Sequence, residues 1–177
     1  METALDKIKR ATASAPVNVE ALIRSFGIEL DKAANLDPEV SGEIAHLGEG
    51  QYRISANKAD HYYRQRFTLA HELGHYILHR DLIGNGVDDN RAYRSVKAGN
   101  FYNKNITDAH EAQANRFAAN ILMPDRLVRS EFEKCDGDIA AMSRRFQVSK
   151  EAMRYALQNL GLVETAGFAD IPPPKEE

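Results

Sequence analysis

Two histidines spaced four residues apart, His71 and His75, are the side chains of this sequence best suited to chemistry. On a helix they lie one turn apart on the same face, so their ring nitrogens can reach one zinc ion at about 2.0–2.1 Å. Glu72 lies beside them and can act as a general base toward water at the metal. Gly74 leaves room for a neighbouring element, although glycine in a helix is about 1 kcal/mol less favourable than alanine. The spacing predicts a metal site; its alternative is two histidines that merely lie on a helix.

A catalytic zinc ion usually takes three protein ligands and keeps one position open. Glu111 is the strongest candidate for the third ligand, because helical spacing places it with Ala114 and Ala118 on the inward edge of a second helix. A carboxylate there needs a partner, since burying it alone is costly. Asn115, one turn further on, can hydrogen-bond a ligand histidine and hold its ring in place.

Glu111 also has an alternative interpretation. With Asp108 as the N-cap, Glu111 would occupy the third helical position and serve as a capping carboxylate. Asp108 and His110 are weaker rival ligands. These alternatives stay open at the level of the sequence.

The other histidines have weaker claims to a role. His79 follows His75 by one turn, but a drift of about 80° from His71 takes it off the metal-facing line and favours a position at the helix end or behind a ligand. His46 and His61 have no motif around them and are expected at the surface or in loops. The long polar connection 84–104 contains the candidate donors to an oxyanion, between which the sequence does not choose: Tyr93, Tyr102, Arg91 and Arg94.

Four elements must position these residues. Apolar residues at helical spacing predict one helix from about Tyr62 to His79 and a second from about Asp108 to Met123. Alternation on both sides of a Gly-Glu-Gly segment predicts a β-hairpin over 41–57. A short helix is expected between Pro16 and Gly27. The fold class is therefore α+β, with the histidine helix beside a short antiparallel sheet.

In the C-terminal part, the sequence pattern predicts short helices over 127–160 with the spacing of a helix-turn-helix. Val148 and Ser149 would form the turn and the N-cap. This stretch has six basic and five acidic residues, a balance of only +1, which is weak for DNA binding. A helical pair that packs over the core is favoured. We therefore expect a core over 1–125, a helical segment over 126–165 packed on it, and a flexible tail over 166–177.

Composition excludes several classes. The chain has 177 residues, a formal charge of −3 and a single cysteine, Cys135, so it is neither a disulfide-stapled secreted scaffold nor an obvious nucleic-acid binder. No apolar run has the length of a signal peptide or of a membrane span. The expected location is the cytoplasm.

Three segments carry a family resemblance: RFTLAHELGH at 66–75, EAQANRFAA at 111–119 and ILMP at 121–124. Together with PVNVEAL at 16–22, they resemble the ImmA/IrrE family of zinc metallopeptidases. The resemblance implies a zincin with His71, His75 and Glu111 as zinc ligands and Glu72 as catalytic base.

It further implies cleavage of a protein partner, in particular a helix-turn-helix transcriptional repressor, within a mobile-element, toxin-antitoxin-like or stress-response switch. Similar zincins add an extended substrate to an edge strand, which is expected here at 51–57. The alternative is a non-catalytic regulatory module that binds a repressor or DNA; the intact Glu72 disfavours it, because binding alone does not need that carboxylate.

Overall fold

The computed structural model describes residues 2–83 and 105–164. Within these residues the chain forms seven α-helices, three β-strands and a short 3-10 helix at Arg80–Leu82. In chain order the elements are α1 (Ala4–Ala11), α2 (Val19–Ser25), β1 (Glu29–Ala34), β2 (Gly42–Gly48), β3 (Gln51–Asn57), α3 (Tyr62–Leu78), α4 (Asp108–Leu122), α5 (Asp125–Lys134), α6 (Ile139–Phe146) and α7 (Lys150–Asn159). The predicted α+β class is confirmed. The oxyanion candidates in 84–104 and the expected tail at 166–177 lie outside the described residues.

The sheet has the strand order β1-β3-β2. Strands β2 and β3 form the predicted antiparallel hairpin, with Ile44 opposite Ile54, and its turn uses positive φ angles at Gly48, Glu49 and Gly50. Strand β1, which the sequence analysis missed, pairs with β3 in parallel, so the sheet is mixed rather than purely antiparallel. Most of its side chains are exposed or half-buried, and they give no clear alternation to detect.

The strand order corrects one expectation. The segment 51–57 was expected to be an edge that a substrate could extend, but β3 is the central strand, with β1 on one side and β2 on the other. Both of its edges already make backbone hydrogen bonds. Among the described strands, β1 and β2 are the edges.

Helix α3 is the central element of the molecule, and it packs against α4 as well as against β2 and β3. His61 is its N-cap, where the ring nitrogen Nδ1 accepts a hydrogen bond from the Tyr63 backbone N–H at 3.3 Å. His79 is its C-cap. Every residue from Thr68 to His75 is buried, so the histidine motif lies in the protein interior.

Two glycines allow α3 to lie close to its neighbours. A Cβ atom on Gly42 of β2 would collide with the Thr68 methyl group and would lie 2.7 Å from the carbonyl oxygen of Ser55. A Cβ atom on Gly74 would lie 3.1 Å from the Phe117 ring and 3.2 Å from the Cα of Ala114. The room expected at Gly74 is therefore used by α4.

The C-terminal helices share the same hydrophobic core. Met142, Phe146, Met153 and Leu157 are all fully buried and belong to one cluster with α2, the sheet and α3. Ser149 caps α7 as expected, with its side-chain oxygen accepting from the Ala152 N–H at 3.0 Å. None of the helices in the described part of the chain combines the length and the apolar character that crossing a membrane requires.

The turn between α6 and α7 is tied directly to α3. The Tyr62 hydroxyl donates to the Gln147 side-chain oxygen at 3.0 Å. The guanidinium of Arg66, which is 6% exposed, donates to the backbone oxygens of Gln147 at 3.2 Å and Val17 at 2.9 Å. These bonds satisfy a buried cation and hold the C-terminal pair against the histidine helix.

Candidate metal centre

Side chains from α3 and α4 converge on one point. The Nε2 atoms of His71 and His75 lie 3.0 Å apart, and the Glu111 carboxylate lies 3.2 Å from the first and 3.6 Å from the second. One potential ligand atom from each residue falls within 4.8 Å of the other two. In the described part of the chain this is the one group of three or more such side chains that could hold a metal ion. The structure thus brings the three predicted ligands together.

Asn115 sets the orientation of the first histidine. Its side-chain oxygen lies 2.9 Å from Nδ1 of His71. An amide oxygen only accepts hydrogen bonds, so the proton of a neutral His71 ring is on Nδ1. Its Nε2 lone pair then points toward His75 and Glu111, as a metal ligand requires.

A chain of polar contacts sets the orientation of the second histidine. Nδ1 of His75 lies 3.1 Å from Nδ1 of His79, and Nε2 of His79 lies 2.8 Å from the side-chain oxygen of Gln113. The Gln113 oxygen accepts, which puts the proton of a neutral His79 on Nε2 and leaves its Nδ1 free to accept from His75. Nε2 of His75 is then also unprotonated and faces the cluster.

His79 therefore lies behind a ligand histidine and at the helix end, and it is not part of the cluster. Gln113 was not identified from the sequence. The signal was available, because Gln113 precedes Asn115 by two residues on the same helix as Glu111, but only the packing of α4 on α3 shows which side chain it meets.

The capping interpretation of Glu111 is wrong. The N-cap of α4 is Thr107, and the residue three positions later is His110, whose Nδ1 accepts from the Thr107 backbone N–H at 3.1 Å. The rival ligand His110 is thus used in capping, and its ring lies 4.8 Å from the ring of His79. Asp108 is exposed in the first turn.

Glu72 is completely buried, and neither of its carboxylate oxygens has a hydrogen-bond partner within residues 2–83 and 105–164. Burial raises its pKa to about 8, against the lowering influence of His71 and with further raising by the negative charge of Glu111. A carboxyl group in this setting is poised to exchange a proton near neutral pH.

The pKa values of the other three groups depend on one another. Burial lowers the pKa of His75 to about 4, although Glu111 opposes the shift. For Glu111, burial acts to raise the pKa, but the contacts with His71 and His75 outweigh it and bring the value to about 2. Burial also acts to lower the pKa of His71, yet Glu111 and Glu72 raise it above its ordinary value. Glu111 thus favours its ionised form, and its negative charge attracts positive charge at His71.

A divalent cation fits this donor set. When both histidines are neutral, the hydrogen bonds described above direct two nitrogen lone pairs and a carboxylate at one another with no proton between them. One Glu111 oxygen also lacks a hydrogen-bond partner in the described structure. A positive ion removes this repulsion, and two imidazoles with one carboxylate form a ligand set typical of catalytic zinc.

The remaining histidines lie elsewhere. His46 is half-buried in β2 rather than in a loop, and its ring packs against Tyr52 at a tilt, with 4.8 Å between the ring centroids. His61 is exposed at the start of α3, as expected.

Comparison with known proteins finds metallopeptidases among the relatives of this chain. The sequence model for the IrrE N-terminal-like domain of peptidases matches residues 25–158. The radiation response metalloprotease IrrE of Deinococcus radiodurans is 32% identical over 131 residues, which cover 70% of this chain and 37% of that protein. The metallopeptidase ImmA of Bacillus subtilis is 30% identical over 128 residues, which cover 70% of this chain and 66% of that protein. The chain thus spans less than two thirds of each relative.

A solved structure described as a Mycobacterium tuberculosis transcriptional regulator has a similar fold. Its TM-score is 0.58 at 21% sequence identity, over 88% of this chain and 46% of that one. At this identity the likeness is one of fold alone.

Proposed function

The chain belongs to the family of peptidases with an IrrE N-terminal-like domain, and from this premise we propose that it is a zinc-dependent endopeptidase acting on a protein substrate. The observation that carries the proposal is Glu72, which is buried without a hydrogen-bond partner among the described residues and lies beside the convergent side chains of His71, His75 and Glu111. A site that only stored a metal ion would not need a buried carboxyl group next to its ligands.

His71, His75 and Glu111 would hold the zinc ion, with Asn115 and His79 fixing the two rings. When bound, zinc supplies Lewis-acid chemistry: it lowers the pKa of water and polarises a carbonyl group. Three protein ligands leave room for substrate or water at the site.

Glu72 would move the proton. In its ionised form it accepts a proton from the attacking water, and in its protonated form it donates that proton to the leaving amine. Its burial keeps bulk water away from this exchange.

We extend the proposal to the substrate. The family resemblance favours a helix-turn-helix transcriptional repressor, cleaved in the cytoplasm as part of a mobile-element, toxin-antitoxin-like or stress-response switch. An extended substrate would pair with the outer side of β2 (Gly42–Gly48), because β2 is an edge among the described strands and packs on α3.

The test is incubation of the zinc-loaded chain with the repressor encoded next to its gene. We expect fragments that disappear with a chelator and with Glu72→Gln, while elemental analysis shows that Glu72→Gln still holds zinc. Glu111→Ala should lose zinc in the same analysis.

Wild-type cleavage by Glu72→Gln would overturn the role of the base, and stoichiometric zinc in Glu111→Ala would move the third ligand elsewhere. A stable uncut complex with the repressor would instead support the non-catalytic module. A salt-dependent gel shift with duplex DNA would favour a nucleic-acid role for the C-terminal helices.

A further inference from the structure

A cleft of about 790 Å³ opens directly beside the candidate metal centre. His71 and Asn115 form part of its lining, so a ligand that fills the cleft reaches these two side chains. Its volume lies within the range of about 300–1,000 Å³ typical of ligand-binding clefts. The walls come from α3, α4 and α7, and Ser41 lies at the start of the adjoining edge strand.

The walls of the cleft are mostly apolar. Phe67 comes from α3, Met123 follows α4, and Val148, Ala152 and Ala156 come from the α7 side. Among the described lining residues, Lys, Arg, Asp and Glu are represented by Arg64 and Glu151 alone, and both are exposed. An apolar concave surface with few charges recognises apolar groups, because burying them there removes surface from water.

The side chains of α7 explain why the cleft is open. Ala152 and Ala156 lie one helical turn apart on the face that lines it, and their single methyl groups leave space that longer side chains would fill. Tyr155 adds an aromatic ring that is 53% exposed. In a DNA-binding helix-turn-helix the second helix would present base-reading side chains, whereas here part of that helix lines the cleft.

We propose that this cleft selects the substrate, by binding an apolar segment of the protein substrate next to the bond that is cut, with α7 as the wall that sets the preference. The inference rests on the proposed peptidase function. The occupant follows from two observations: the lining is mostly apolar, and it includes His71, so a segment that fills the cleft extends to a candidate metal ligand.

The first arm of the test measures cleavage. A peptide mixture from a digested bacterial proteome is incubated with zinc-loaded wild type, and the cut sites are read by mass spectrometry. We expect leucine, isoleucine, phenylalanine or methionine to be enriched on one side of the cut. Ala156→Phe, which narrows the cleft, should change that preference and lower kcat/KM for apolar sites by about tenfold or more.

Arg154→Phe is the matched control, because it adds the same ring to the same helix at an exposed position that does not line the cleft. Tyr155→Ala is a second variant, which removes an exposed aromatic side chain from the lining of the cleft and leaves the hydrophobic core unchanged. Zinc content and thermal unfolding should match the wild type in all three. Equal cut-site preferences and rates for Ala156→Phe and Arg154→Phe would overturn the inference.

The second arm measures binding without turnover, in a Glu72→Gln background. A labelled peptide with leucine and phenylalanine at alternate positions should bind more tightly than one with serine there, and Ala156→Phe should remove the difference. If the wild type cleaves no peptide and the binding difference is nevertheless observed, the peptidase proposal fails and the proposal that the cleft binds apolar segments stands. If the wild type cleaves peptides but Ala156→Phe changes neither cleavage nor binding, the proposal for the cleft fails and the peptidase proposal stands.

Discussion

The orientation of the His75 ring, and with it the position of Nε2 at the candidate metal centre, depends on the hydrogen bond of the other ring nitrogen, Nδ1. The contact with His79 at 3.1 Å and the contact of His79 with Gln113 at 2.8 Å form a line of three side chains with one consistent placement of protons. Both imidazoles of this line are buried, where an unmatched polar group costs free energy. His79 is thus a positioning residue that acts through His75.

At this scale we predict that His79→Phe weakens zinc binding by about 10–100-fold, because the His75 N–H loses its acceptor and the ring can rotate away from the centre. The measurement is competition with a chromogenic chelator.

His46→Phe is the control, since it makes the same exchange at a ring that packs against Tyr52 away from the cluster. It should bind zinc as the wild type does. Equal zinc affinities for the two variants would mean that His79 only caps α3 and does not position His75.

At the scale of elements, the pair α3 and α4 decides where the third candidate ligand lies. Glu111 is 36 positions beyond His75 in the sequence, and only the close approach of the two helices brings it within 3.6 Å. Gly74 allows that approach, because a side chain there would press on Phe117 and on the backbone of Ala114. A single glycine thus controls the distance between the two halves of the site.

Gly74→Val should lower the free energy of unfolding by about 1–3 kcal/mol, as expected for overpacking at a tight contact. It should also weaken zinc binding, because α4 must move away and take Glu111 with it. Denaturant unfolding and chelator competition measure the two effects.

Ala112→Val is the comparison, an exposed site on α4 where the added methyl groups meet solvent. It should change stability by less than about 1 kcal/mol, since only helix propensity is affected. If Gly74→Val leaves zinc affinity unchanged, the distance between the helices is not what positions Glu111.

At the scale of the whole molecule, the described chain has one continuous hydrophobic core. Phe146 of α6 is fully buried in it together with Leu69 and Leu73 of α3. The bonds from Tyr62 and Arg66 to Gln147 link the same elements through polar groups. We therefore propose that the segment 126–165 folds with the core over 1–125 as one cooperative unit and closes one side of the site.

Phe146→Ala should lower the free energy of unfolding by about 3–5 kcal/mol, because a large buried ring is replaced by a cavity. Unfolding should remain a single transition when followed by circular dichroism and by zinc release, since both report on the same core. Two separate transitions, with zinc retained through the first, would show that the C-terminal helices unfold independently of the centre.

The candidate site was largely predictable because its main signals are local. His71 and His75 share a helical face by spacing alone, and the amphipathic pattern predicts that helix within one residue of its observed end. Glu111 was identifiable because a carboxylate on the inward face of a helix requires a partner. The α+β class, the hairpin and the family resemblance follow from periodicity and from motifs of the same short range.

What only the tertiary structure decided is which distant segments meet. Local periodicity indicates neither that β1 pairs with β3, which makes β3 central, nor that His79 meets Gln113, nor that α7 forms a wall of the cleft. These contacts join residues far apart in sequence, and they are selected by the packing of the whole core rather than by the preference of any one segment. The sequence alone thus determined the candidate chemistry and the helix that carries it, whereas the packing of α4 and α7 on α3 decided the environment of that chemistry.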